Sequence, residues 1–517
     1  MNNNSQDYTV LPEATLTRSE ALNLLRVLLD KMNQQEKAHA KQIATTHPSF
    51  RQSARNLIHY LTLRNHEIRP IQEFLHEAGL SSLASSESHT MAQLLQILKW
   101  LSPDEEWATE ACDFGQSLEA RQRHTLQLLG PNSRPDLPHI MVTFSTELAE
   151  DRMKIQELLD AGMTIARINC AHDDPTLWKQ MITNIRASSA KMGRPCKVYM
   201  DLAGPKIRVS EIPAEKGRDI TDGLELAEGD VLELTGVKGG VKAPQRRRDG
   251  TLKRHATIVV QPKELLSMLR KGEHIYFDDG KFEAKVVETN RKSAIVEVKR
   301  ISTKKPFLKA EKGVNLPDSD LAISSLTKED KKFLPFICEH ADLVGYSFVS
   351  SPADIEELRV LMQKHTTHPP GIVIKVERLA AVRNLPALLL QGMRDEVVGV
   401  MIARGDLAVE IGFERLSEIQ QEILWICEAA HVPVIWATQV LETMNKTGFA
   451  TRSEITDAAM GVMAECVMLN KGPYVVKTVE TLADILSRLA GHFDKKRYIM
   501  RPLSIARNFF ERSETEP

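Results

Sequence analysis

Apolar residues recur at helical spacing through the first quarter of the chain and then give way to short, continuously apolar runs. Leu22, Leu25, Leu29 and Met32 fall on one face of a helix that Thr17 or Ser19 can cap, since a side-chain oxygen there satisfies a free N–H of the first turn. A second helix is predicted over 53–63. A third follows Arg69-Pro70 and stops at Gly79, a residue suited to a left-handed helix end. Two more are predicted over 91–101 and 117–129, the last ending at Gly130-Pro131, and the three prolines of 131–138 read as a linker. Residues 1–130 thus form a helical region without a chemical constellation. Its scattered histidines read as surface or cap residues of a bundle used for interaction or stability.

Beyond the linker, apolar runs occupy 139–143, 164–168, 197–200, 343–348, 372–376, 398–403, 432–436 and 466–469. Several lack alternation, as parallel strands covered on both faces should. Helical patterns such as 327–340 and 415–431 lie between most of them. Eight such repeats predict an α/β fold, a (β/α)₈ TIM barrel, with an open doubly wound sheet as the alternative. One interval breaks the rhythm. Between 206 and 307, alternating segments (Val231-Leu232-Glu233-Leu234, Ala294-Ile295-Val296-Glu297-Val298) are separated by turns such as Asp278-Asp279-Gly280. The division expected is a helical domain at 1–130, a barrel at 138–205 and 306–492, an inserted small β-barrel lid at 206–305, and a tail at 493–517.

Composition narrows the function classes. Hydrophobic content of 42% and charged content of 26% are globular values, and a net charge of −2 gives no sign of nucleic-acid or acidic-membrane binding. A basic run around Arg246, Arg247 and Arg248 lacks interleaved aromatics and reads as a solvated loop. The six cysteines show no metal or redox spacing, and the polar start at 1–6 has no apolar core, so a reducing cytoplasm is expected. No apolar stretch approaches a membrane-spanning length.

Barrel enzymes carry their chemistry where strands end. Here those ends hold Arg167 and Asn169, Asp201, Lys375 and Glu377, Ala403-Arg404-Gly405-Asp406, and Thr438. Any one could be a structural ion pair; so many at matching positions is hard to explain as packing. Glu377 and Asp406 suit a hard divalent ion, which needs only one or two carboxylates plus substrate oxygens. Arg167, Arg208 and Lys375 can surround a phosphoryl group. The Arg404-Gly405-Asp406 turn, opening a helix, offers N–H groups to a carboxylate.

These segments, together with Asp201-Leu202-Ala203-Gly204-Pro205-Lys206-Ile207-Arg208, Lys312-Gly313-Val314-Asn315-Leu316-Pro317 and Ala437-Thr438-Gln439, resemble the pyruvate kinase family in family order over about 138–490. The resemblance implies transfer of a phosphoryl group between phosphoenolpyruvate and ADP, giving pyruvate and ATP, with Mg²⁺ or Mn²⁺. It implies that Lys375 faces the transferred group and that Arg167 contacts the phosphate. Glu377 and Asp406 would bind the metal, Thr438 would steer enolate protonation, and Lys312 would arrive with the lid. His172 would lie near the nucleotide phosphates.

Departures from the family pattern carry their own expectations. Lys206 stands where the family has Glu, and Leu202 and Ala171 replace usual K⁺-site residues. A lysine ammonium near Asn169 and Asp201, hydrogen-bonded to them, would make K⁺ unnecessary. Val142-Thr143-Phe144-Ser145-Thr146 and Asn470-Lys471-Gly472-Pro473 replace nucleotide-side and proton-path motifs. The chain ends at Pro517, soon after the last barrel helix, so the family's effector domain is expected to be absent, with the N-terminal helices as candidates for homo-oligomerisation. Two other readings stand beside turnover: a regulatory protein that senses phosphoenolpyruvate or pyruvate, and an enzyme for another enolate-forming substrate.

Overall fold

The computed structural model describes residues 16–107, 111–214, 223–246, 252–319, 324–495, 497–503 and 505. The polar start, Arg247 and Arg248, and the chain from 506 onward lie outside the described residues.

Eight parallel strands close on themselves. Strand one (His139–Thr143) pairs on one side with strand two (Ile165–Asn169) and on the other with strand eight (Cys466–Leu469), His139 lying beside Cys466. Strands three (Lys197–Asp201), four (Leu343–Tyr346), five (Gly371–Val376), six (Val398–Ala403) and seven (Val434–Ala437) follow in chain order around the ring. The strand 1–8 pairing decides for the closed barrel over the open sheet. Met141, Ile165, Tyr199, Leu343, Val373, Met401 and Ile435 point inward, while their neighbours Ile140, Val142, Ala166, Val198 and Val344 pack outward among the helices. Both faces are therefore apolar, which is why no alternation was visible in these runs.

Helix Phe114–Leu129 ends as a plug. Its Leu128 and Leu129 join the inner barrel cluster, and a Cβ at Gly399 would lie only 2.4 Å from Leu128 Cδ2, so that close approach requires glycine. Each leucine buried there contributes about 1.5–3 kcal/mol.

The insertion after strand three is a seven-stranded mixed sheet with its own core, from Val209 through Phe277 and Phe282 to Leu316. An Arg208↔Gly313 bridge brings its two edge regions together, as a small barrel requires. Its turn at Asp278, Asp279 and Gly280 adopts positive φ and reaches Phe413, 3.4 Å from a Cβ built at Gly280. The lid thus touches the barrel just beyond strand six.

The N-terminal helices Arg18–Ala38, Arg51–Arg64, Arg69–Glu77 and Thr90–Leu101 share a core of Leu25, Met32, Leu63, Leu75, Leu94 and Leu98. Thr17 caps the first in a reciprocal box with Glu20. Helix Arg51–Arg64 is two-faced: Leu63 faces its own bundle, whereas Ala54, Leu57 and Ile58, with Phe50 just ahead of the helix, lie in the barrel's outer core. Asn56 fastens the joint, its amide donating to Glu87 O (2.7 Å) and Ala429 O (2.9 Å) while its Oδ1 accepts from Thr90 N–H (2.9 Å).

The histidines of this region correct one expectation. His47 does cap the Pro48–Phe50 turn, but His59, His89 and His124 are buried. His124 bonds the backbone oxygen of His431 (2.8 Å), and His431 in turn holds Ser53 Oγ (2.9 Å) and Ser88 O (2.8 Å). Burial pushes His431 down to about 3 and His124 to about 4. They are neutral rivets between bundle and barrel. No helix among the described residues is long and apolar enough to cross a membrane.

Candidate active site

At the C-terminal ends of the strands the inward-facing rows turn polar. Counting by two along each strand, Ile165 leads to Arg167, Tyr199 to Asp201, Leu343 through Gly345 to Ser347, and Val373 to Lys375 and Glu377. The strand period itself therefore gathers these side chains above the apolar floor. Gly345 is obligatory here, since a Cβ would sit 1.9 Å from Tyr199 Oη.

Four charges form the centre. Arg167 Nε donates to Asp201 Oδ2 (3.0 Å), its second guanidinium nitrogen grips the same carboxylate, and its third reaches Thr143 Oγ1 (3.0 Å). Lys375 Nζ lies 3.1 Å from Asp201 Oδ1 and 2.9 Å from Glu377 Oε1, and donates to Ser347 Oγ (2.6 Å). The Ser347 hydroxyl donates in turn to Leu202 O (2.7 Å), and Glu377 Oε2 accepts from Phe348 N–H (2.7 Å). Asp201, Lys375 and Glu377 are 1%, 7% and 4% exposed. Two cations facing two anions is the arrangement that such burial demands.

The titration shifts follow. Burial disfavours the charged form of Lys375, but Asp201 and Glu377 outweigh it and hold the ammonium above its ordinary value. Burial likewise opposes the Asp201 carboxylate, and Lys375 and Arg167 more than offset it, so Asp201 lies below the usual carboxylate range. Glu377 goes the other way. Burial raises it, Lys375 pulls it back, and the neighbouring Asp406 charge raises it again. A cation between the two carboxylates would relieve that repulsion.

Helix Arg404–Ile411 carries Asp406 in its first turn. Ahead of it, Thr438 adopts φ +67° and accepts from Gly405 N–H through Oγ1 (2.8 Å). The Arg404 side chain turns away from the mouth, donating to Ala437 O (2.9 Å) and Thr438 O (2.7 Å) and pairing with Asp457. Arg404 is thus a strut for the Thr438 turn, and only its backbone remains for a ligand.

Glu377 and Asp406 fit a hard divalent ion such as Mg²⁺ or Mn²⁺ by donor type and by their mutual repulsion. Among the described residues no group of three or more His, Cys, Asp or Glu side chains is placed for a metal, so substrate and water would supply the other ligands.

Lys206 departs from expectation. Its Nζ lies 3.2 Å from Asp406 Oδ1 and 3.4 Å from Oδ2, while Asn169 accepts from Ala171 N–H and Asp201 is taken by Arg167 and Lys375. The hydrogen bonds foreseen to Asn169 and Asp201 are replaced by an ion pair across the rim. The physical reason is supply: Asp201 already faces two buried cations, whereas Asp406 is partly exposed and open to Lys206.

His172 is exposed at the mouth, and its pKa is lowered by partial burial and then by Lys471, Arg208 and Arg167, which marks a basic rim. Arg208 donates to Glu311 O (2.9 Å) at the lid's root. Lys312 is turned to Asp278 (2.9 Å) within the lid and borders a cavity of about 740 Å³ that also exposes Lys281, Lys305 and Lys309. The structure brings Arg167, Asp201, Lys375, Glu377, Asp406 and Thr438 to one mouth. It leaves Lys312 outside their hydrogen-bond network.

A family model described as "Pyruvate kinase, barrel domain" matches residues 122–479. The chain belongs to the pyruvate kinase family. Relatives named "Pyruvate kinase" include those of Bacillus licheniformis (30% identical over 358 residues), Thermococcus litoralis (32% over 344) and Encephalitozoon cuniculi (33% over 361). These matches cover 68%, 65% and 68% of this chain, and 57%, 66% and 73% of the respective relatives. The family match begins inside helix Phe114–Leu129, in agreement with the plug that this helix forms.

Two positioning residues were missed in the sequence. Ser347 would have been found by carrying the inward row of strand four two residues past Gly345. Asp457, the partner of Arg404, lies 53 residues away in helix Arg452–Met460 and gives no sequence signal.

Proposed function

We propose that this protein is a phosphotransferase that converts phosphoenolpyruvate and ADP to pyruvate and ATP in the cytoplasm, with Mg²⁺ or Mn²⁺ and without K⁺. The observation that carries this reading is the buried Arg167–Asp201–Lys375–Glu377 cluster opening beside Asp406. Arg167 and Lys375 hold the phosphoryl group, whose bond to the enol oxygen breaks as a β-phosphate oxygen of ADP bonds to phosphorus. Lys375 then balances the enolate charge until carbon takes a proton, with the Thr438 turn fixing the pocket on that side. A divalent ion on Glu377 and Asp406 would neutralise phosphate and enolate oxygens. Six free cysteines, five of them buried, suit a reducing compartment.

The K⁺-free reading rests on Lys206, whose ammonium supplies a fixed positive charge at the rim. The same contact favours a second reading, a phosphoenolpyruvate sensor without turnover, because Lys206 occupies a carboxylate intended for metal. Pyruvate formation, coupled to lactate dehydrogenase and compared with Lys375→Met, separates the two. Turnover in the parent that the variant lacks, without added K⁺, supports the enzyme. Phosphoenolpyruvate binding with parent and variant equally inactive supports the sensor.

A further inference from the structure

Arg378, the residue after Glu377, carries a buried charge that the site described above does not use. Its side chain is 8% exposed. Among the described residues its guanidinium makes no hydrogen bond or ion pair, and it lies 5.0 Å over the Phe348 ring. Burial lowers its pKa, opposed first by Glu410 and then by Glu377, Asp354 and Asp406. A buried cation drawn by several carboxylates but bonded to none gains a charge-assisted hydrogen bond by moving onto any one of them.

Both stems of the lid end on the groups around this guanidinium. The outgoing stem, 202–208, runs against the Phe348 ring: a Cβ built at Gly204, which adopts φ +64°, would lie 2.7 Å from Phe348 Cδ2. Phe348 itself is held at φ +59° and donates its N–H to Glu377 Oε2 (2.7 Å). The returning stem, 312–316, is anchored by Asn315, whose buried amide donates to Glu410 Oε1 over a long 3.4 Å. Burial raises the pKa of Glu410, and Arg378 is the first group to oppose it. Glu410 follows Asp406 by one turn of helix Arg404–Ile411, and residues four apart share a face. Arg378 is therefore drawn both to the two carboxylates proposed for the metal and to the one that holds the returning stem.

A divalent ion would change this balance. It would neutralise Glu377 and Asp406 and repel the guanidinium. Asp354 is occupied, accepting from the N–H groups of Ser350 and Ser351 (2.9 Å each), so Glu410 is the attraction that remains. Glu410 can then exchange its long bond to Asn315 for a pair with Arg378, and a hydrogen bond between charged groups is roughly twice as strong as a neutral one.

We propose that Arg378 is a positioning residue that transmits metal occupancy to the lid, moving onto Glu410 when the ion binds and releasing Asn315 with the returning stem. This coupling rests on the metal reading given above. Hydrogen exchange of the full chain, read by mass spectrometry over 312–316 with and without Mn²⁺, tests it, and electron paramagnetic resonance measures Mn²⁺ occupancy separately. In the parent, bound Mn²⁺ should speed exchange over 312–316 by about threefold or more. Arg378→Met and Glu410→Gln should bind Mn²⁺ without that change, and Arg378→Lys, which keeps the charge, should retain it in part. A parent that binds no Mn²⁺ overturns the metal reading and the coupling with it. Four results overturn the coupling alone: a parent that binds Mn²⁺ without faster exchange, a folded Met or Gln variant that responds as the parent does, a folded Met or Gln variant that no longer binds Mn²⁺, and an Arg378→Lys that responds no more than Arg378→Met.

Discussion

Replacing Lys206 by Met should tighten divalent-cation binding. The ammonium sits 3.2 Å from Asp406 Oδ1, on one of the two carboxylates proposed to hold the metal. At that distance the Coulomb attraction is about 5 kcal/mol for an effective dielectric of about 20, and about 1 kcal/mol in water. The two side chains are 29% and 20% exposed, so screening brings the net contribution toward about 1–2 kcal/mol. A metal must overcome this contact, and its loss should strengthen affinity by roughly 5- to 30-fold. Mn²⁺ binding by electron paramagnetic resonance, on parent and variant without substrates, reads this directly. Lys206→Arg should resemble the parent. Equal or weaker Mn²⁺ binding in Lys206→Met would refute the proposal that Asp406, the partner of Lys206, holds the metal.

Other consequences are equally concrete. Lys206→Met should lose activity in K⁺-free buffer and regain part of it on adding K⁺; an unchanged rate without K⁺ contradicts the tethered-charge reading. Ser347→Ala removes an acceptor from a buried ammonium, an interaction of about 1.5–3 kcal/mol, so kcat should fall roughly 10- to 100-fold, and a parent-like kcat would show that Lys375 is positioned without it. His431 and His124 have folded pKa values near 3 and 4, below the ordinary value for histidine. The unfolded chain therefore takes up their protons first, and stability is complete above about pH 6.5 and drains away as pH falls toward 4. Thermal unfolding at pH 7.5 and 4.5 checks this, with His431→Gln expected to flatten the dependence.

Much of the barrel was legible because buried parallel strands produce continuous apolar runs, and their polar ends stand out against that background. The eight strands and the charged residues that follow them could be read in this way. The count of eight repeats favoured closure over an open sheet, and the decision between them came only with strands one and eight meeting, His139 lying beside Cys466, 327 residues later. The bundle histidines were misread for a related reason. Periodicity places His124 on a helix but is blind to His431, 307 residues later, which turns a surface position into a buried joint. The partner of Lys206 was equally hidden, because the choice between Asp201 and Asp406 turns on which carboxylate is already neutralised in three dimensions. Ser347 was recoverable, since it lies within the run 343–348 on the inward row that continues past Gly345.

The most direct test follows the phosphoryl group itself. Phosphorus-31 NMR of the full-length protein with phosphoenolpyruvate, ADP and Mg²⁺ should show the phosphoenolpyruvate resonance replaced by those of ATP, with no such exchange in Lys375→Met. Inorganic phosphate in place of ATP, or spectra that do not change while phosphoenolpyruvate binds, would contradict phosphoryl transfer by this site.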